Sequence, residues 1–143
     1  MAVFSFVKAA GDNVADLSDS DFEARLLKHI EGVGLGTPSV SARAEDDRVV
    51  LRGEAKSQEE KEKLLLAAGN IQGVASVNED ITVSGPADRP ARFVTVTEGD
   101  TLSSISKAAY GDPNRYTKIF EANKPLLKHP ERIYPGQVLR IVD

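Results

Sequence analysis

Ser57-Gln58-Glu59-Glu60-Lys61-Glu62-Lys63-Leu64-Leu65-Leu66-Ala67-Ala68-Gly69-Asn70-Ile71-Gln72-Gly73 is the stretch on which the fold turns. Ser57 followed three residues later by Glu60 is a capping box, in which each side chain satisfies an amide left open by the first helical turn. Glu59 and Lys63 form an i,i+4 pair on the solvent side, while Leu64, Leu65 and Ala68 face inward. Gly69 to Gly73 ends the helix. A helix so bounded fixes the reading of what flanks it.

Upstream, Val40, Ala42 and Ala44 alternate with Ser39, Ser41 and Arg43, the period of a half-buried strand. Glu45-Asp46-Asp47 turns the chain, and Arg48 to Glu54 returns as a second strand with Val49 and Leu51 on one face. Downstream, Val74 to Val83 reads as the last strand of this unit. Before the hairpin, Asp19 or Ser20 can cap a helix whose apolar face is Phe22, Leu26, Leu27, Ile30 and Val33. Gly32, Gly34, Gly36 and Pro38 stop it. At the start of the chain, Val3, Val7, Ala10, Val14 and Leu17 recur at helical spacing, so residues 1–17 are expected to form a helical segment, weakened at Gly11, that packs on the unit. Lys8 stands alone beside Asp12 and Asp16, which does not make a membrane-surface helix. The expected order is helix, helix, strand, strand, helix, strand: an α+β layer with helices on one face of a three-stranded sheet.

Ser84 to Ala91 holds Gly85, Pro86 and Pro90, the marks of a linker, and the charge changes sign across it. Residues 1–85 hold 9 basic and 15 acidic side chains, and residues 92–143 hold 8 and 6. Two small domains follow: 18–85 with its leading segment 1–17, a linker at 86–91, and 92–143. In the second, Phe93 and Thr95 alternate against Val94 and Val96 in a short strand. Gly99 permits a turn, Asp100 can cap a helix, and Leu102 and Ile105 bury its face. Tyr110-Gly111-Asp112-Pro113 ends that helix. Another runs from Asn114 to Asn123 with Tyr116, Ile119 and Phe120 inward, and Ile133-Tyr134-Pro135-Gly136-Gln137 turns into a strand over Val138 to Ile141.

Composition narrows the function. The 143 residues include no Cys, which excludes disulfides, thiol nucleophiles and cysteine metal sites, and only two His. A formal charge of −4 makes duplex nucleic acid a poor partner. No window approaches a membrane span, and Met1 to Ala10 lacks the pattern of an export signal, so a cytoplasmic protein is expected. Asp46-Asp47 and Glu59-Glu60 are paired carboxylates on a turn and a solvated helix start, and no nucleophile elbow or phosphate loop is present, so no catalysis is expected.

Val49 to Ala55, Ser57 to Leu66 and Gly73-Val74-Ala75-Ser76-Val77-Asn78-Glu79 together resemble a BON domain over about residues 18–85. Val94, Val96, Gly99-Asp100-Thr101-Leu102, Ile105-Ser106, Tyr110-Gly111, Ile119 to Asn123 and Ile133 to Leu139 closely resemble a LysM domain of strand–helix–helix–strand order. The LysM resemblance implies a shallow groove for N-acetylglucosamine-containing glycans such as peptidoglycan. It would run between Gly99, Asp100, Thr101 and Leu102 on one side and Ile133, Tyr134, Pro135 and Gly136 on the other. The same residues serve equally as turn glycines, a cap and a bend-fixing proline.

The pairing of the two domains, with Val3-Phe4-Ser5-Phe6-Val7-Lys8 at the start and Phe120 to Pro125 near the end, is similar to bacterial cytoplasmic potassium-binding proteins. That resemblance implies a monomer that binds K⁺, changes conformation on doing so, and leaves a glycan or protein partner to the LysM half as the alternative. Selective K⁺ sites replace the hydration shell with neutral carbonyl oxygens, which are free where helices end and glycines release the chain. Gly69 to Gly73 and the Gly11 break, with Val7 and Ala10 before it, both qualify. By resemblance, the ligands are the main-chain oxygens of Val7, Ala10, Asp12, Gly69, Ile71 and Gly73.

Overall fold

The computed structural model describes residues 2–14, 17–18, 20–36, 39–86 and 89–142. Asp16, Asp19, Pro38, Ala87 and Asp88, which entered the sequence reading as a charge, a cap, a stop and part of the linker, lie outside the described residues.

The chain opens with a strand, β1 (Ala2–Ser5), where a helix was expected. The helical stripe put Val3 and Val7 inside, yet they are 61% and 42% exposed, whereas Phe6 is buried and Phe4 packs on the core. The aromatic alternation Phe4/Phe6 therefore outweighs the 3.6-residue spacing, and β-branched and aromatic residues favour the extended chain. The segment then turns, with Val14 and Leu17 still packed on the core.

Helix α1 (Phe22–Ile30) follows, with Phe22, Leu26 and Ile30 buried. Asp21 occupies its N-cap position without a side-chain cap bond, so Ser20 does not cap it. A wide turn over Glu31–Leu35 extends the helix as far as Gly34, where φ of +105° ends it. Strands β2 (Ser39–Glu45) and β3 (Arg48–Ala55) form an antiparallel hairpin with Glu45 opposite Arg48, and Asp46 takes the positive φ the tight turn needs. Helix α2 (Gln58–Gly69) crosses over to β4 (Ser76–Val83), which lies parallel to β3. β1 adds antiparallel to the far side of β4, so the sheet has four strands in the order β1-β4-β3-β2 rather than three.

The capping of α2 differs from the sequence reading in one bond. Ser57 Oγ accepts from Glu60 N–H at 3.0 Å, but the Glu60 carboxylate takes the amide of Lys56 at 3.2 Å. Lys63 meets Glu59 at 2.7 Å as expected. From Leu64 to Gly69 every residue is buried, more than the three positions assigned an inward face. A helix apolar all round is a helix covered on both sides, and the second cover is the C-terminal unit.

That unit is built from β5 (Arg92–Thr95), α3 (Leu102–Tyr110), α4 (Tyr116–Ala122) and β6 (Val138–Ile141), with β5 and β6 antiparallel. Thr101, not Asp100, caps α3 and shares a capping box with Ser104. Asp100 instead accepts the amide and hydroxyl of Thr97 at 3.0 and 2.8 Å, which, with the Ser104 hydroxyl, holds its carboxyl below the usual range. Residues Pro113–Arg115 form a tighter turn before α4, and Tyr116 points outward rather than in. Val96, Leu102, Ile105, Ile119, Leu127, Leu139 and Ile141 make this unit's core, while Val138 belongs to the core of the other. No helix among the described residues is long and apolar enough to cross a membrane.

Candidate functional site

The Gly11 break and the Gly69–Gly73 loop lie against each other. Because β1 pairs with β4, the chain leaving β1 runs beside the chain entering β4, and four main-chain bonds join them. Phe6 N–H donates to Ala75 C=O at 2.9 Å, Gly73 N–H to Lys8 C=O at 2.7 Å, Asp12 N–H to Asn70 C=O at 2.9 Å and Gln72 N–H to Asp12 C=O at 3.0 Å. Asp12 and Ile71 form a short parallel bridge. Val7, Ala10 and Asp12 thus stand on one segment, and Gly69, Ile71 and Gly73 on the segment beside it.

The backbone approach depends on glycine. Gly11 has φ of +110°, and a Cβ there would overlap the main chain of Asn70 and Ile71. Gly73, with φ of +98°, turns the second segment where its amide meets Lys8. At Gly69 a Cβ would strike the Phe6 ring, so the end of α2 and the continuation of β1 seat each other.

The main-chain oxygens expected to bind are neutral. The carbonyls of Val7, Asp12 and Ile71 each accept one N–H, from Ala10, Gln72 and Val74, which leaves a second lone pair on each. Gly69 ends α2, so its carbonyl belongs to the negative pole of the helix. The nearby carboxylates are engaged elsewhere: Asp12 Oδ2 is 3.4 Å from His29 Nε2, and Asp47 Oδ2 is 3.7 Å from Lys8 Nζ. Among the described residues no group of three or more His, Cys, Asp or Glu could hold a metal ion. This chemistry suits a weakly hydrated monovalent cation and not Ca²⁺ or Mg²⁺, which take carboxylate-rich shells.

The C-terminal unit touches the same segment. A Cβ on Gly136 would stand 2.6 Å from Ala10 Cβ and 3.1 Å from Val7 Cβ. The Tyr134 phenol, with its pKa pushed up to about 12 by burial and by the charge of Asp12, faces the same way. The eight residues expected to form one glycan groove are therefore divided. Asp100, Thr101, Leu102 and Ile133 line an open depression of about 400 Å³, joined by Tyr116 and Glu131. Gly136 packs under Val7 and Ala10, Tyr134 faces Asp12, and Gly99 and Pro135 are exposed at the turns. Tyr116 belongs to the depression because it faces outward, contrary to its assignment to the core.

Sequence reasoning missed the side chains that join the two units. Glu62, Leu66 and Asn70 follow one another at i,i+4 along α2 and its end. Both oxygens of buried Glu62 are used: Oε1 takes Arg140 Nη2 and Nε at 2.9 and 3.1 Å, and Oε2 takes the Ala91 amide at 2.8 Å. Asn70 mimics a strand beside β6, its Nδ2 donating to Val138 C=O and its Oδ1 accepting Val138 N–H, both at 2.9 Å. Within the C-terminal unit Asn123 does the same for Arg140 from the end of α4, at 3.0 and 2.8 Å. The available signal was the i,i+4 spacing that sets Glu62 and Asn70 on the same stripe as Leu66.

Comparison with known proteins agrees with this organisation. Residues 18–85 match the BON domain and residues 94–142 the LysM domain. The Potassium binding protein Kbp of Escherichia coli is 46% identical over 147 aligned residues, covering 99% of this chain and 98% of that protein. An uncharacterized protein of Deinococcus radiodurans is 30% identical over 146 residues, covering 94% of this chain and 56% of its own length. The chain, a BON domain followed by a LysM domain, belongs to the family of the Potassium binding protein Kbp.

Proposed function

We propose that this protein binds K⁺ in the cytoplasm, as a sensor or buffer and not as an enzyme. The ion is held by main-chain oxygens of Val7, Ala10, Asp12, Gly69, Ile71 and Gly73. The observation that carries this reading is the pair of adjacent segments, 6–12 and 69–75, joined by four main-chain bonds and still rich in spare carbonyl lone pairs. The similarity to a relative named as a potassium-binding protein supports it. An ion shared between the segments ties the first seventeen residues to the end of α2. Because Val7 and Ala10 touch Gly136, that tie alters how the LysM unit at 92–143 sits on the unit at 18–85 across the linker at 86–91. This contact is the route for a conformational response in a monomer.

Melting temperature followed against KCl and then NaCl at fixed ionic strength tests the reading. A ligand bound only by the folded state at 100 times its Kd adds about 2.7 kcal/mol, or about 8 °C for a chain of this size. A rise with K⁺ and little with Na⁺ is expected, and equal responses would overturn the proposal. A second reading, glycan binding, has the open depression at Asp100, Thr101, Leu102 and Ile133 in its favour and the packing of Gly136 beneath Val7 and Ala10 against it. Co-sedimentation with insoluble peptidoglycan at low salt supports that reading, and its absence removes it.

A further inference from the structure

We propose that the cleft between α2 and the turn at Lys128–Arg132 is a binding site for a small organic carboxylate with a compact apolar body. The cleft has a volume of about 270 Å³. Its floor is apolar and comes from both units: Val33 and Leu66 from one, Leu126 and Leu127 from the other.

The rim is cationic. Arg132 N–H donates to His129 C=O at 3.1 Å, which closes the turn and sets Lys128, His129 and Arg132 along one wall of the cleft. Several cations elsewhere sit on carboxylates: Lys61 on Glu79 at 3.1 Å, Lys124 on Glu121 at 3.0 Å, Arg140 on Glu62 at 2.9 Å. Among the described residues neither of the rim's two cations, Lys128 and Arg132, has a carboxylate partner. The turn also sorts its charges, since Glu131 lines the depression beside Asp100 and not this cleft. The cleft's acidic residue, Asp12, lies on His29. Unpaired cations above an apolar floor favour an anion that is oxygen at one end and hydrocarbon at the other, because each half then meets its own kind of surface. The site uses none of the main-chain oxygens assigned to K⁺ and stands or falls apart from that reading.

The test is a titration of the full chain with benzoate, followed by amide NMR shifts, at constant K⁺ and with chloride replaced to hold ionic strength. Saturable shifts are expected at Asn70 and along Leu127 to Ile133. The double variant Lys128→Ser, Arg132→Ser, at exposed positions, should melt like the parent and bind benzoate about tenfold or more weakly, the loss of at least one charge-assisted contact. Glu131→Gln, on the same turn but facing away, should bind within twofold of the parent. Inorganic phosphate, which lacks the apolar body, should shift the same amides only at much higher concentration. Linear shifts with benzoate, equal binding by the double variant, or equally tight phosphate binding would each overturn the proposal.

Discussion

Two seams hold the molecule together, and they work by different physics. One joins the BON and LysM units by side chains: Glu62 with Arg140 and Ala91, and Asn70 with Val138. The other joins the leading segment to the BON unit by main chain: segment 6–12 against segment 69–75, with Gly136 of the LysM unit laid beneath. In the first, the buried Glu62 carboxylate has both oxygens bonded and Arg140 also donates to Ala122 C=O at 2.7 Å, so its demands are met within the protein. In the second, carbonyls keep lone pairs that the protein does not use. A satisfied seam fixes one arrangement, and a seam with spare acceptors is open to an ion. On the proposed K⁺ reading, stability belongs to the first seam and response to the second.

The sharpest way to break that division is to cut the side-chain seam. Arg140→Ala leaves a buried carboxylate without its cation, and should lower unfolding free energy by about 3–5 kcal/mol, read by urea denaturation. Glu62→Leu combined with Arg140→Met removes both charges and should recover most of the loss, since a buried pair replaced by apolar groups is often near neutral. In that double variant the difference between K⁺ and Na⁺ melting curves should persist. If it disappears, the two seams are one device.

Gly11→Ala attacks the other seam. The added Cβ meets the main chain of Asn70 and Ile71 at a φ of +110°, so a cost of about 2–3 kcal/mol is expected, together with loss of the K⁺-specific rise in melting temperature. Gly99→Ala is the control: φ is +87° but nothing lies within 4 Å of the new carbon. It should cost about 1 kcal/mol and leave the K⁺ response intact.

The two seams also differ in how far the sequence announced them. Local signals carried the hairpin at Asp46-Asp47, α2 from its Ser57 cap to Gly69, β4 and most of the LysM unit, because capping, alternation and turn glycines act over a few residues. The first segment misled, since Val3, Val7 and Ala10 fit a helical stripe while Phe4 and Phe6 fit a strand. Only the place beside β4, supplied by residues about seventy positions away, decides between them. The Gly11 break and the Gly69–Gly73 loop could be singled out one by one as sources of free carbonyls. That they adjoin follows from the β1–β4 pairing and was not legible. Gly136 looked like a groove residue for the same reason: its neighbours Val7 and Ala10 are distant in sequence.

Asn70 belongs to both seams, its carbonyl accepting Asp12 N–H and its amide side chain pairing with Val138. Asn70→Ala removes only the second set and leaves two β6 backbone groups short of a partner, for an expected loss of about 1–2 kcal/mol. The K⁺ response should survive, because the main-chain bond to Asp12 is untouched. A variant that keeps its stability but loses the response would reverse the assignment of roles.

The smallest effect at neutral pH is expected at Tyr134, where the seams converge. Burial and the charge of Asp12 raise its phenol from 10 to about 12, so the folded protein holds the proton more tightly than the unfolded chain. The stability this contributes is complete below pH 10 and is lost as pH rises from 10 towards 12, because the unfolded chain gives up the proton first. Tyr134→Phe should therefore change the melting temperature little at pH 7 and make its decline shallower through that alkaline window. A second variant, Asp12→Asn, distinguishes the two causes of the shift. Asp12→Asn removes the charge and keeps the burial, so it should bring the folded phenol back towards 10, end the alkaline decline at a lower pH and shrink it only in part. A decline abolished by Asp12→Asn would mean that charge, not burial, holds Tyr134 neutral, and that the LysM turn senses segment 6–12 electrostatically as well as by contact.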